Sequence, residues 1–92
     1  MILADNLYWG KHASEYKAYI LKNLKNRTLE PATYVITEAQ APNLYEIYNS
    51  TMLLNPYQDT STMRVLGIGY GYRDTLECLK LMILDGIRRG SI

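Results

Sequence analysis

The chain has 92 residues, 48% of them hydrophobic and 21% charged, a balance typical of folding domains and far from that of disordered chains. Ten Lys and Arg against nine Asp and Glu leave a net charge of +1, so no global field recruits nucleic acid or an anionic membrane, and either role needs a local patch. A single cysteine, Cys78, and a single histidine, His12, exclude an internal disulfide and a four-ligand Cys/His zinc site.

This length predicts one α+β domain over residues 1–92, with modest stability that self-association would raise. Met1-Ile2-Leu3-Ala4 is followed at once by Asp5, an apolar run too short for a signal peptide or a membrane span, so the expectation is a cytoplasmic protein with no membrane partner. Nine tyrosines, one tryptophan and no phenylalanine favour aromatic rings with a polar tip, suited to half-buried positions and interfaces.

Leu7-Tyr8-Trp9 reads as a short strand, with Ser14 as the N-cap of a first helix. In that helix Tyr16, Tyr19, Ile20 and Leu24 recur on one face, while Glu15, Lys22 and Lys25 point away. A rival reading extends the helix back to Asp5, at the cost of Gly10 in its interior. Thr33 to Glu38 is rich in β-branched and aromatic residues and is predicted as a strand. Ala39 to Asn43 reads as a turn, and Leu44 to Tyr48 as a second, antiparallel strand. Leu44, Ile47, Tyr48, Thr51 and Leu54 also match a helical face, so a short helix within 43–54 remains open. Asn55 to Thr62 is the most turn-prone stretch and the candidate mobile loop.

Met63 to Tyr72 carries the most informative pattern. If extended, it places Val65, Gly67, Gly69 and Gly71 on one side and Leu66, Ile68, Tyr70 and Tyr72 on the other. A bare glycine face calls for something packed close against the backbone, such as a helix or an aromatic ring. The last helix begins with Asp74 as N-cap and Glu77 in a capping-box position, and buries Leu76, Leu79, Ile83 and Ile87. Cys78 and Leu81 lie on its other side, which makes the helix apolar on more than one face. Gly86 and Gly90, with Arg88 and Arg89 between them, mark its C-terminal end.

Few of these residues form a pattern that supports chemistry. The glycines from 67 to 71 fit neither G-x-G-x-x-G nor G-x-x-x-x-G-K-[ST], and Asp74 at the helix start would repel a phosphate. His12 has no partner at local spacing for a triad, so it reads as a structural histidine. Cys78 beside Glu77 in mid-helix reads as a packing residue. The carboxylates Glu30, Glu38, Glu46, Asp59 and Asp85 are scattered, and no metal or cofactor is expected. Asn49-Ser50-Thr51 matches a glycosylation acceptor only formally, in a chain expected to be cytoplasmic. Lys11, Lys22, Lys25 and Arg27 form a basic stripe, with Arg64, Arg73, Arg88 and Arg89 elsewhere. A helix, three strands and a terminal helix is also the element order of double-stranded-RNA-binding domains. The terminal helix here begins Arg73-Asp74-Thr75-Leu76-Glu77, without the lysine cluster of such domains.

The runs Tyr34-Val35-Ile36-Thr37-Glu38, Asn43-Leu44-Tyr45-Glu46-Ile47-Tyr48 and Val65-Leu66-Gly67-Ile68-Gly69-Tyr70-Gly71-Tyr72, the last before a helix, resemble small bacterial proteins of Firmicutes type without assigned activity. The resemblance implies a bacterial cytosolic origin and an α+β fold, and nothing about sites.

The expected architecture is a mainly antiparallel sheet of three or four strands with two helices packed on one face, leaving the other face open and lined with tyrosines. The expected function is a non-enzymatic protein-interaction module, self-associating as a homodimer or meeting a protein partner. The alternative is an RNA- or DNA-binding domain using the basic stripe. The residues expected to bind are Tyr70, Tyr72 and Arg73 at the strand-to-helix junction and Lys22 and Lys25 on the first helix. An enzyme would need a pocket uniting His12 with a carboxylate.

Overall fold

The computed structural model describes residues 1–28, 30–57 and 59–92. Its regular elements are strand β1 (Ile2–Trp9), helix α1 (Lys17–Asn26), strands β2 (Thr33–Glu38), β3 (Tyr45–Asn49) and β4 (Arg64–Tyr70), and helix α2 (Tyr72–Arg88). The strands form one sheet in the order β1-β4-β2-β3. β2 pairs antiparallel with both β3 and β4, whereas β1 runs parallel to β4. The expected α+β class and mainly antiparallel sheet of four strands are therefore present.

The two helices do not share a face. Val35 and Ile36 are consecutive in β2 and both fully buried, which a strand achieves only when each of its faces is covered. Val35 packs with Ile20 and Leu24 of α1 and with Val65 and Ile68. Ile36 packs with Cys78 and Met82 of α2. The result is a layer of helix on each side of the sheet, so the tyrosine-lined open face expected from the sequence is absent as a whole face.

β1 is longer than the predicted Leu7–Trp9, and its pairing excludes the helix extended back to Asp5. It is matched to β4 at both ends only: Leu3 lies opposite Val65 and Tyr8 opposite Gly67, so β1 advances from 3 to 8 while β4 advances from 65 to 67. Helical winding starts with a 3-10 turn at Ala13–Tyr16 that leads into α1. Ser14 lies inside that turn and donates its hydroxyl to the Lys11 carbonyl at 2.7 Å instead of capping α1. Of the predicted apolar face, Ile20 and Leu24 of α1 are buried as expected, but Tyr19 of α1 and Tyr16, which ends the 3-10 turn, are exposed. The 43–54 stretch divides between its two readings. β3 ends at Asn49, whose side-chain oxygen accepts from the Thr51 N–H at 2.9 Å and starts a 3-10 segment, Ser50–Leu54, that buries Leu53. The turn-prone stretch 55–62 contains neither helix nor strand among its described residues, and Gln58 lies outside them.

In β4, Ile36 pairs with Gly67 and Thr37 with Val65, so Leu66 is an extra residue. This bulge reverses the predicted side of the first two positions: Val65 joins the α1 core and Leu66 the α2 core. Beyond the bulge the alternation is as expected. Gly67 and Gly69 face α2, where a Cβ would lie 2.9 Å from Met82 Sδ and 2.5 Å from the Thr75 Cα respectively. The close partner implied by the bare glycine face is thus the helix that follows it.

α2 differs from expectation in its start and in its buried face. Gly71, at φ 90°, holds the N-cap position, and Asp74 is already inside the helix. The buried positions are Thr75, Cys78, Met82 and Gly86. Leu79 and Ile83 are half-buried, and Leu76 and Ile87 are exposed. Glycines on the strand let a helix approach only if it turns small side chains toward them. Thr75 and Cys78 supply those and Met82 adds a flexible one, whereas Gly86 lies under Ile92 of the tail; the branched residues are rotated to the flank.

Candidate functional site

β1 and β4 are parallel neighbours, and the chain leaves them toward opposite faces: Gly10 to Ala13 leads to α1, and Gly71 leads to α2. Such a divergence opens a crevice outside the carboxyl ends of the two strands. Here it forms a wide cleft of about 1190 Å³, lined among others by Lys11, His12, Tyr70, Arg73, Asp74 and Cys78. Of the residues expected to bind, Tyr70, Tyr72 and Arg73 all line it. Lys22 and Lys25 are exposed on α1. Lys25 borders a separate cavity of about 240 Å³ with Met1, Arg27 and Leu53, beside the start of β1 and away from the crevice.

Asp74 is the hub of the crevice. Its Oδ2 accepts from the backbone N–H of Tyr70 at 2.9 Å and of Ala13 at 3.0 Å, and its Oδ1 from that of His12 at 2.9 Å. Burial alone would raise the Asp74 pKa. The three backbone donors, with help from His12, overcome that and hold it below the ordinary 3.8. Gly10 makes room for this carboxylate, since a Cβ there would lie 2.5 Å from the Asp74 Cγ. The sequence marks Asp74 only as a helix cap; Tyr70 is local, but His12 and Ala13 are more than fifty residues away and meet it through the β1–β4 pairing.

The His12 ring packs edge-on against Tyr16 and Tyr70, at 5.6 and 5.3 Å between centroids. Its Nδ1 lies 3.2 Å from the Tyr70 carbonyl, which can only accept, so Nδ1 carries the proton in this contact. Nearby, the Tyr19 hydroxyl donates to Glu30 at 2.7 Å, and Glu30 also accepts from the Ala32 N–H at 3.0 Å. Histidine and carboxylate thus share one crevice, yet the Asp74 oxygens are taken by amides and a backbone carbonyl orients the imidazole. Burial pushes the Cys78 thiol up to about 11, which disfavours the nucleophilic thiolate at neutral pH. Among the described residues, no group of three or more His, Cys, Asp and Glu is placed to hold a metal ion, and no helix is long and apolar enough to cross a membrane.

A second surface lies on the α2 side of the sheet. The α1 side is covered by α1 together with Leu53 of the 3-10 segment, whereas α2 alone covers the other side and lies chiefly over β4. The Tyr8 hydroxyl donates to Asp85 at 2.9 Å and ties α2 to β1. Toward β3 only part of the surface is filled. Tyr34 meets Tyr72 edge-on at 5.5 Å, and Tyr45 and Ile47 are half-buried beside the Ile36 core. The α2 flank above them exposes Tyr72 (55%), Leu76 (43%) and Ile87 (55%). Helix flank and strand surface together make an apolar shelf.

No protein family matches this chain, no curated protein is detectably similar to it, and no solved structure matches it.

Proposed function

We propose that the chain is a non-enzymatic protein-interaction module that works as a homodimer, with the shelf between α2 and β3 as its interface. The observation that carries this reading is the half-covered sheet. Strands lie about 4.8 Å apart and a helix is about 10 Å across, so β2 and β3 beside α2 offer the width of one further helix. A second copy supplies that helix by isologous contact. Each α2 lies over the free half of its partner's sheet, and the flanks bearing Leu76, Ile83 and Ile87 meet across the twofold axis. Tyr34 and Tyr45 form a floor that tolerates the Arg73 and Lys80 side chains of the other copy through cation–π contact and polar ring tips. A bacterial cytosolic setting belongs to the same proposal, on the strength of the sequence runs that suggest it.

Static light scattering tests the dimer. A mass of about twice the 10.6 kDa chain, reduced to one chain by Leu76→Glu with Ile87→Glu, is the expected result. A concentration-independent monomer refutes the homodimer, and a dimer indifferent to both substitutions refutes the shelf. Nucleic-acid binding is the competing reading. Of its cations, Lys22 and Lys25 stand apart from Tyr70 and Tyr72, whereas Lys11 and Arg73 line the crevice with them, so the basic stripe is divided between two surfaces; the reading predicts an affinity that falls steeply with salt.

A further inference from the structure

Asp74 spends its carboxylate on partners outside its own helix. Tyr70 ends β4, whereas His12 and Ala13 belong to the segment between β1 and α1. One carboxylate therefore joins the two walls of the crevice at the carboxyl ends of β1 and β4, alongside the Gly10 N–H bond to the Ile68 carbonyl at 2.8 Å and the His12 Nδ1 contact with the Tyr70 carbonyl at 3.2 Å. We propose that Asp74 is a latch: its carboxylate clips the His12–Ala13 segment to the start of α2, and the crevice opens when the carboxylate lets go.

Three features support a latch over general packing. The contact consists of three hydrogen bonds to an ionised acceptor, each 2.9 to 3.0 Å long, and this type of bond weakens most when the acceptor loses its charge. The two walls are attached through glycines. Gly71 sits at φ 90° with nothing within 4 Å of a Cβ, a conformation open to glycine, whereas Gly10 leaves the space that the carboxylate fills and is itself held by its N–H to the Ile68 carbonyl at 2.8 Å. The latch also lies where ligand crevices of open sheets form, outside the carboxyl ends of β1 and β4, and so bears on a cleft of about 1190 Å³. The charged and titratable groups around it are Lys11, His12 and Glu15 from the α1 side, Tyr70 from β4, and Tyr72, Arg73, Glu77, Cys78 and Lys80 from α2. Opposite charges are mixed among them, so the latch depends on its amide donors and not on a surrounding field of one sign. This device is independent of the proposed dimer.

Amide hydrogen exchange followed by NMR tests the latch in the full chain. In Asp74→Ala, the Tyr70, His12 and Ala13 amides should exchange about 10- to 100-fold faster, as expected on removal of charge-assisted bonds. The Val35 and Ile36 amides should keep their protection, and added formate should restore the first three. Unchanged exchange at the three amides overturns the latch. So does an equal loss across β2, which would mean general unfolding. If Asp74→Ala does not fold, acid titration of the unaltered protein decides. The three amide resonances should move together with one midpoint below 3.8, the ordinary value for the group, and separate midpoints overturn the proposal.

Discussion

Substituting Gly69 by alanine tests the central packing relation of this fold, the seating of α2 on a bare strand. The added Cβ would lie 2.5 Å from the Thr75 Cα, a backbone atom that no rotamer change removes, so α2 must lift off β4 or β4 must bend. Overpacking of this kind costs about 2 to 3 kcal/mol. Restricting the unfolded chain at the former glycine returns up to about 1 kcal/mol. The expected net loss is about 2 kcal/mol, a large share of the stability of a domain this small. In urea, with an m value of about 1 kcal/mol per M, the midpoint should fall by about 2 M. Because the obstacle is backbone, Thr75→Gly in the same chain should restore only part of the loss. Gly69→Ala with an unchanged midpoint, or full restoration by Thr75→Gly, would refute the close seating of the helix.

Gly67→Ala should cost less, about 1 kcal/mol, because the atom it meets is Met82 Sδ at 2.9 Å, the movable end of a flexible side chain; a loss larger than that of Gly69→Ala in the same urea assay would contradict this order. The lowered pKa of Asp74 means that its stabilisation is present above the unfolded value of 3.8 and is lost as pH falls through the folded value; Asp74→Asn should flatten that acid limb in thermal melts recorded across pH. Cys78 behaves in the opposite sense. Its thiol is raised from 9.0 to about 11, so the native state keeps a proton that the unfolded chain releases, and stability falls as pH rises between those values. Iodoacetamide at neutral pH should leave Cys78 unmodified in the native protein and modify it in urea, as mass spectrometry will read. The Thr33 hydroxyl is buried without a hydrogen-bond partner among the described residues, so Thr33→Val should hold or raise stability by up to about 1 kcal/mol, and a clear loss would reveal a partner.

What could be read from the chain was what its neighbours in sequence determine. Thr33 to Glu38 is β-branched throughout its centre, and β2 has the predicted bounds. The glycine face of β4 announced a close neighbour, and α2 is that neighbour. By contrast, the extent of β1 depends on β4, more than fifty residues away, and Asp5 and Asn6 interrupt the local strand pattern that would have announced it. The bulge at Leu66 has no local signature either, yet it decides which core receives Val65 and which receives Leu66. The crevice shares this limit. Tyr70, Tyr72 and Arg73 were legible as a junction, but Asp74 as its hub needed the loop after β1 to be brought beside it.

The face of α2 shows how a local error can point to a surface. Helical periodicity selects Leu76, Leu79, Ile83 and Ile87 as the core stripe because they are the bulkiest apolar residues in register. That choice assumes the core wants bulk, and here it wants closeness: Gly67 and Gly69 bring the helix near, so Thr75, Cys78 and the flexible Met82 face the strand, while Gly86 is covered by Ile92. The stripe is displaced to the flank, where only Leu79 and Ile83 gain partial cover. Four apolar residues at helical spacing beside Tyr34, Tyr45 and Ile47 make a continuous patch, unlike the single exposed apolar residues common on monomers. If the patch is an interface, replacing Leu76 and Ile87 with glutamate should abolish association while leaving the monomer's urea midpoint nearly unchanged, since both side chains are exposed in the single chain. A large drop in that midpoint would show instead that the stripe stabilises the folded chain itself.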